Sequence, residues 1–177
     1  MPSSSLHDLL IDYDRALAYS HALTADLTDA EVRWRADSES SAIGWHLGHQ
    51  AAVAHFMVRN LTAAEPPVDA AMDRLMDSAT PERDRGDLPD LTTITAYRAA
   101  VAERVHFRLA NIDSGNVGAP DQLRSIAKGM VTALINHEYQ HAKWIGEVRS
   151  AVHQRDLPDD PTSELLTKLD GYLILAE

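Results

Sequence analysis

The chain has 177 residues, 45% of them hydrophobic and 24% charged, with 16 basic against 27 acidic side chains and a net charge of −11. This is the balance of one ordinary globular domain over residues 1–177, long enough for a real core, and it excludes extensive disorder. The acidic charge argues against nucleic acid as a partner, no apolar run approaches the ~20 residues of a membrane span, and the lack of cysteine removes disulfides, thiolate metal sites and a cysteine nucleophile.

The start, MPSSSLHDLL, has no charged region followed by an apolar one, so the expectation is a cytoplasmic protein without a signal peptide. Ser5 and Asp8 suggest an N-terminal cap, and Leu6, Leu10, Tyr13, Leu17 and Leu23 recur at near-helical spacing, predicting a helix over about 6–25. Thr28 and Glu31 form a capping box that opens a short helical turn. After the polar connection 36–41, a second long helix is predicted over 42–61, apolar nearly all round and therefore buried on several sides. EPPVD breaks it, a short helix is expected at 69–76, and DSATPERDRGDLPD reads as a long crossover. A third long helix follows over 92–112, then the loop DSGNVGAPD and a fourth helix over 121–153. After RDLPDDPT a short C-terminal helix is expected at 162–175, and no stretch alternates long enough to predict a strand. The fold class is all-α: a four-helix bundle with long crossover connections and short extra helices.

The fourth helix carries HEYQH, residues 137–141, and places Leu123, Met130, His137 and Trp144 on one line with Ala127, Leu134, His141 and Val148 on another. Both lines belong to one inward stripe of seven-residue period, so His137 and His141 sit at core positions on successive turns. Two desolvated imidazoles about 6 Å apart need partners, and a shared metal ion satisfies both. A third ligand is expected from the second helix. His46 and His49 differ by about 60° around its axis and can share a face, whereas His55 lies roughly opposite His46. The spacing admits either His46 or His49 and assigns His55 to the core or its edge. His7, His106 and His153 read as surface residues, and His21 is ambiguous.

HEYQH also matches the H-E-x-x-H of zinc metalloproteases. Such an enzyme needs a further downstream ligand and a strand to hold peptide. The metzincin position is Glu147, Glu164 lies beyond a proline-rich break, and Glu138 is about 100° from His137. A protease is the least favoured of the three functional readings.

SAIGWHLGHQAAV together with INHEYQHAKWI resembles the DinB-like superfamily of metal-binding four-helix bundles, and is similar to the N-terminal iron-binding domain of ergothioneine sulfoxide synthases. The resemblance covers about the whole chain in helix order and rests on these two segments. It implies that the last residue of the W-x-L-x-H segment, His49, joins His137 and His141 as the ligand set, with His46 beside it. It implies a divalent ion (zinc, nickel or iron) at an open site that activates water or a thiol for transfer, isomerisation or hydrolysis of a small molecule. Lys143 stands where the synthases carry an acidic residue, and the length leaves no room for their second domain, so their full activity is not expected. Tyr139, Glu138 and His46 are candidates for orienting the ligands, and no catalytic residue is assigned. The expected partner is a small-molecule substrate, a thiol among the candidates, with no membrane or nucleic acid and a homodimer as one candidate assembly. The alternative is a non-catalytic metal-binding or structural bundle.

Overall fold

The computed structural model describes residues 5–62 and 65–175. Helix α1 spans Leu6–Ala22 and begins with a full capping box: Ser5 accepts from the Asp8 backbone N–H, and the Asp8 carboxylate accepts from that of Ser5. Thr28 and Glu31 make the same reciprocal pair at α2, Asp29–Arg33. Helix α3 covers Ile43–Thr62, and α4, Ala70–Leu75, is capped by Asp69. The crossover contains one 3-10 turn at Glu82–Asp84 before Asp90 caps α5, Leu91–Asp113. Helix α6, Pro120–Ala151, starts with proline at its first position, where no N–H is needed.

The long helices α1, α3, α5 and α6 form the expected bundle. Helix α6 lies against both α1 and α3, and α3 also packs along α5. Tyr13, Leu23, Ile43, Leu47, Ile94, Leu109, Ile112, Ile135 and Ile145 fill the space between them. Among the described residues no helix is long and apolar enough to cross a membrane.

The C-terminal region departs from the sequence expectation. Instead of a helix over 162–175, it forms an antiparallel hairpin of β1, Leu166–Leu169, and β2, Tyr172–Leu175, with Leu169 opposite Tyr172 and Leu166 opposite Leu175. The turn residues Asp170 and Gly171 have φ of 50° and 82°. Two successive positive φ values make the tight turn whose twist matches paired strands, and Asp-Gly is among its preferred sequences. Apolar residues at Leu165, Leu166, Leu169, Tyr172 and Leu173 imitate a helical stripe, but the turn overrides that local period. The hairpin is anchored to α6: Leu175 is buried, and its backbone N–H donates to Asn136 Oδ1 at 2.8 Å.

Candidate metal centre

His137 and His141 lie one turn apart on α6, and His49 faces them from α3. Among the described residues these three converge, with ligand-capable atoms all within 4.8 Å of one another. Ring centroids are 4.4 Å apart for His137–His141, 5.1 Å for His49–His141 and 5.3 Å for His49–His137. His49 and His141 are 8% and 4% exposed, whereas His137 is only half-buried. The accessible edge of the cluster is therefore at His137.

Contacts from outside the cluster set the rings. His49 Nδ1 lies 2.7 Å from the Met76 carbonyl oxygen, just beyond α4. A carbonyl only accepts, so Nδ1 carries the hydrogen and Nε2 keeps its lone pair. Trp45 stacks on the same imidazole at 4.5 Å and 11°, and the Arg85 guanidinium lies 3.6 Å over the Trp45 ring. His46 is not a member of the three-residue cluster, but its Nδ1 is 2.9 Å from His141 Nδ1. With His141 as donor in that bond, its Nε2 is left free as a ligand atom.

Burial holds these imidazoles neutral. Desolvation pushes His137 and His46 down to about 4, each further depressed by His49. His141 falls to about 2, first from burial and then from His137, His46 and His49 around it. His49 is also lowered by burial, with the Met76 carbonyl opposing the shift. Neutral imidazole is the form that ligates metal. His137 Nδ1 is buried without a hydrogen-bond partner among the described residues. An orphaned nitrogen beside two neutral imidazoles is costly in a filled core but suited to an ion, so the residues present fit a metal.

The glutamate of HEYQH is engaged elsewhere. Glu138 is buried in an ion pair with Arg98 of α5. Arg98 also donates to the Leu47 carbonyl at 2.6 Å and to Gln50 Oε1 at 2.9 Å. Gln50 in turn donates to the Glu138 carbonyl at 2.8 Å and to Ser20 Oγ at 3.1 Å. One polar network thus ties α1, α3, α5 and α6 together and fixes α3 against α6, the two helices that carry the histidines. Among the described residues the Glu138 carboxylate pairs with the buried Arg98 guanidinium and not with a histidine, which weakens the protease reading of HEYQH. The Tyr139 hydroxyl is buried without a partner among the described residues, and its ring meets Tyr19.

His55 is a core residue, 2% exposed, with Nδ1 3.2 Å from Asp73 and Nε2 3.2 Å from Arg104. Tyr97 donates to the same Asp73 oxygen at 2.6 Å. His7 and His21 are exposed, and His106 meets Asp14 at 2.7 Å near the surface. His153 departs from the surface reading: it is half-buried edge-on against Trp34.

A family model described as the DinB superfamily matches residues 12–145, which takes in both histidine segments and most of the bundle. The chain belongs to the DinB superfamily. No curated protein matches the chain significantly. The DinB match ends within α6, so the β1–β2 hairpin lies outside it.

Sequence reading missed Met76, Arg98 and Gln50 around the three histidines, and Asn136 under the hairpin. Only one of them left a local trace. Gly48 beside His49 is where Met76 packs: a Cβ placed there would meet the Met76 sulfur at 2.5 Å. A glycine inside an apolar helix signals such a close approach.

Proposed function

We propose that His49, His137 and His141 hold one divalent metal ion and that this DinB protein is a metal-dependent enzyme acting on a small molecule. The observation that carries the reading is the convergence of three neutral imidazoles, one with a nitrogen that has no partner among the described residues, at a site where His137 is only half-buried. Three protein ligands leave coordination positions for a reactant. A divalent ion there supplies Lewis acidity, which favours the deprotonated form of water or a thiol near neutral pH.

The chain's own residues do the rest. The Met76 carbonyl fixes the His49 tautomer, and Trp45 holds its ring plane. His46 orients His141 and shields it from water together with Trp144, whose ring meets His141 edge-on at 4.9 Å. The Arg98–Glu138–Gln50 network keeps the two ligand-bearing helices in register without using the ligands. It gives the bundle a source of rigidity independent of metal. An open, reactive site therefore predicts a folded apo-protein. Circular dichroism after exhaustive chelation tests this: retained helicity with a modest loss of melting temperature supports the enzyme reading. Unfolding on metal removal would instead mark a structural ion.

A further inference from the structure

We propose that the groove between α6 and the β1–β2 hairpin is the substrate site, and that it takes a small molecule with one metal-binding end and an apolar, uncharged body. The proposal rests on the metal reading above and adds to it a location and a chemical class.

The cluster's accessible edge, His137, lines a groove of about 540 Å³ between α6 and the hairpin. Such a volume suits a small organic ligand. From α6, Asn136 and Gln140 flank His137; from the hairpin, Leu169, Tyr172 and Ile174 form an apolar wall. Asn136 Oδ1 already accepts from Leu175, which leaves the amide NH2 to donate. Gln140 is exposed and offers a second amide. No lysine or arginine lines the groove among the described residues; its one carboxylate is Asp170 at the turn. The ion held at His137 would take a ligand's anionic end; away from it the described groove wall carries no cation of its own. Lys143, whose ammonium lies 4.7 Å from the Tyr172 ring centroid, is paired with Glu147, so on a chain of net charge −11 a second carboxylate or phosphate is disfavoured.

A second cavity also borders the cluster, through His49, and contains Arg59 and Arg74. Met76, whose carbonyl engages His49 Nδ1, lines it too. Of the three histidines that cavity is lined only by the buried His49, whereas the hairpin groove meets the half-exposed His137. The hairpin lies beyond the family match, so this wall is placed by the structure and not by the superfamily match.

The test uses the full chain loaded with cobalt(II) and three probes sharing one chelating group: acetohydroxamate, benzohydroxamate and 4-carboxybenzohydroxamate. Changes in the cobalt visible spectrum report affinity. Benzohydroxamate should bind about tenfold more tightly than either of the others. Leu169→Ala and Ile174→Ala should each erase most of that preference while cobalt stoichiometry stays unchanged. Leu169 is 59% exposed, so its variant keeps the test open if Ile174→Ala fails to fold. Cobalt binding with equal affinity for all three probes, or with a preference that the folded variants keep, would overturn the groove and leave the metal site standing. Failure to bind cobalt before any probe is added would overturn both.

Discussion

Arg98 and Glu138 form a buried ion pair between α5 and α6, at the second position of a motif whose glutamate usually attracts a catalytic interpretation. Removing one partner strands a charge in the core, so Arg98→Met should cost about 3–5 kcal/mol of stability in denaturant unfolding. Glu138→Gln keeps a hydrogen-bond acceptor for Arg98 and removes the charge. Its metal stoichiometry should equal that of wild type. Loss of metal in a folded Glu138→Gln protein would show that the carboxylate serves the ion directly.

His46 and His49 separate by role. His49→Ala should abolish tight metal binding. His46→Ala removes only the residue that orients His141 and should weaken affinity about 10–100-fold while stoichiometry at saturating metal stays the same. Calorimetric titration of both variants with zinc reads the difference.

Gly48 links packing to the same ring. Gly48→Ala drives a Cβ into Met76, whose sulfur, Cε and Cγ all lie within 3 Å of the new atom. The buried Met76 side chain must shift, and a shift that carries its backbone takes the carbonyl away from His49. Overpacking of this kind typically costs about 1–3 kcal/mol. Weaker metal binding should accompany the loss, whereas a destabilised variant with unchanged affinity would uncouple Met76 from the site.

His55→Ala provides the converse case. The side chain is buried against Asp73 and Arg104, so its loss should cost about 1–3 kcal/mol through unsatisfied polar partners. Metal content should not change, because His55 is outside the converging group.

The Glu31 carboxyl is held down at about 2, first by Arg155 and then by Thr28. A depressed carboxyl favours the folded state above its ordinary value of 4.5, and that contribution fades as pH falls through about 2. Arg155→Met should return Glu31 toward 4.5, visible as an upward shift of its NMR titration midpoint. An unmoved midpoint would exclude Arg155 as the main cause.

Much of the bundle was legible because its signals are local. The boxes at Ser5–Asp8 and Thr28–Glu31 mark two helix starts, and the heptad lines through His137 and His141 follow from period alone. The choice of His49 over His46 was not legible in periodicity, since α3 is apolar all round; it came from the W-x-L-x-H resemblance. In the structure His49 is held by the Met76 carbonyl, 27 residues away at the end of α4. Arg98 pairs with Glu138 across 40 residues, a contact that no spacing rule reaches. The hairpin is different: Asp170-Gly171 announced it locally, and the apolar spacing around the turn masked the signal.

The most direct test of the metal centre is elemental analysis of untagged wild-type protein beside His137→Ala, each reconstituted with zinc, nickel or iron and checked by circular dichroism. One of these metals should be retained at about one ion per wild-type chain, and little in a variant that keeps its helical spectrum. Equal metal in wild type and the folded variant, or none in a folded wild type after all three metals, would contradict the account.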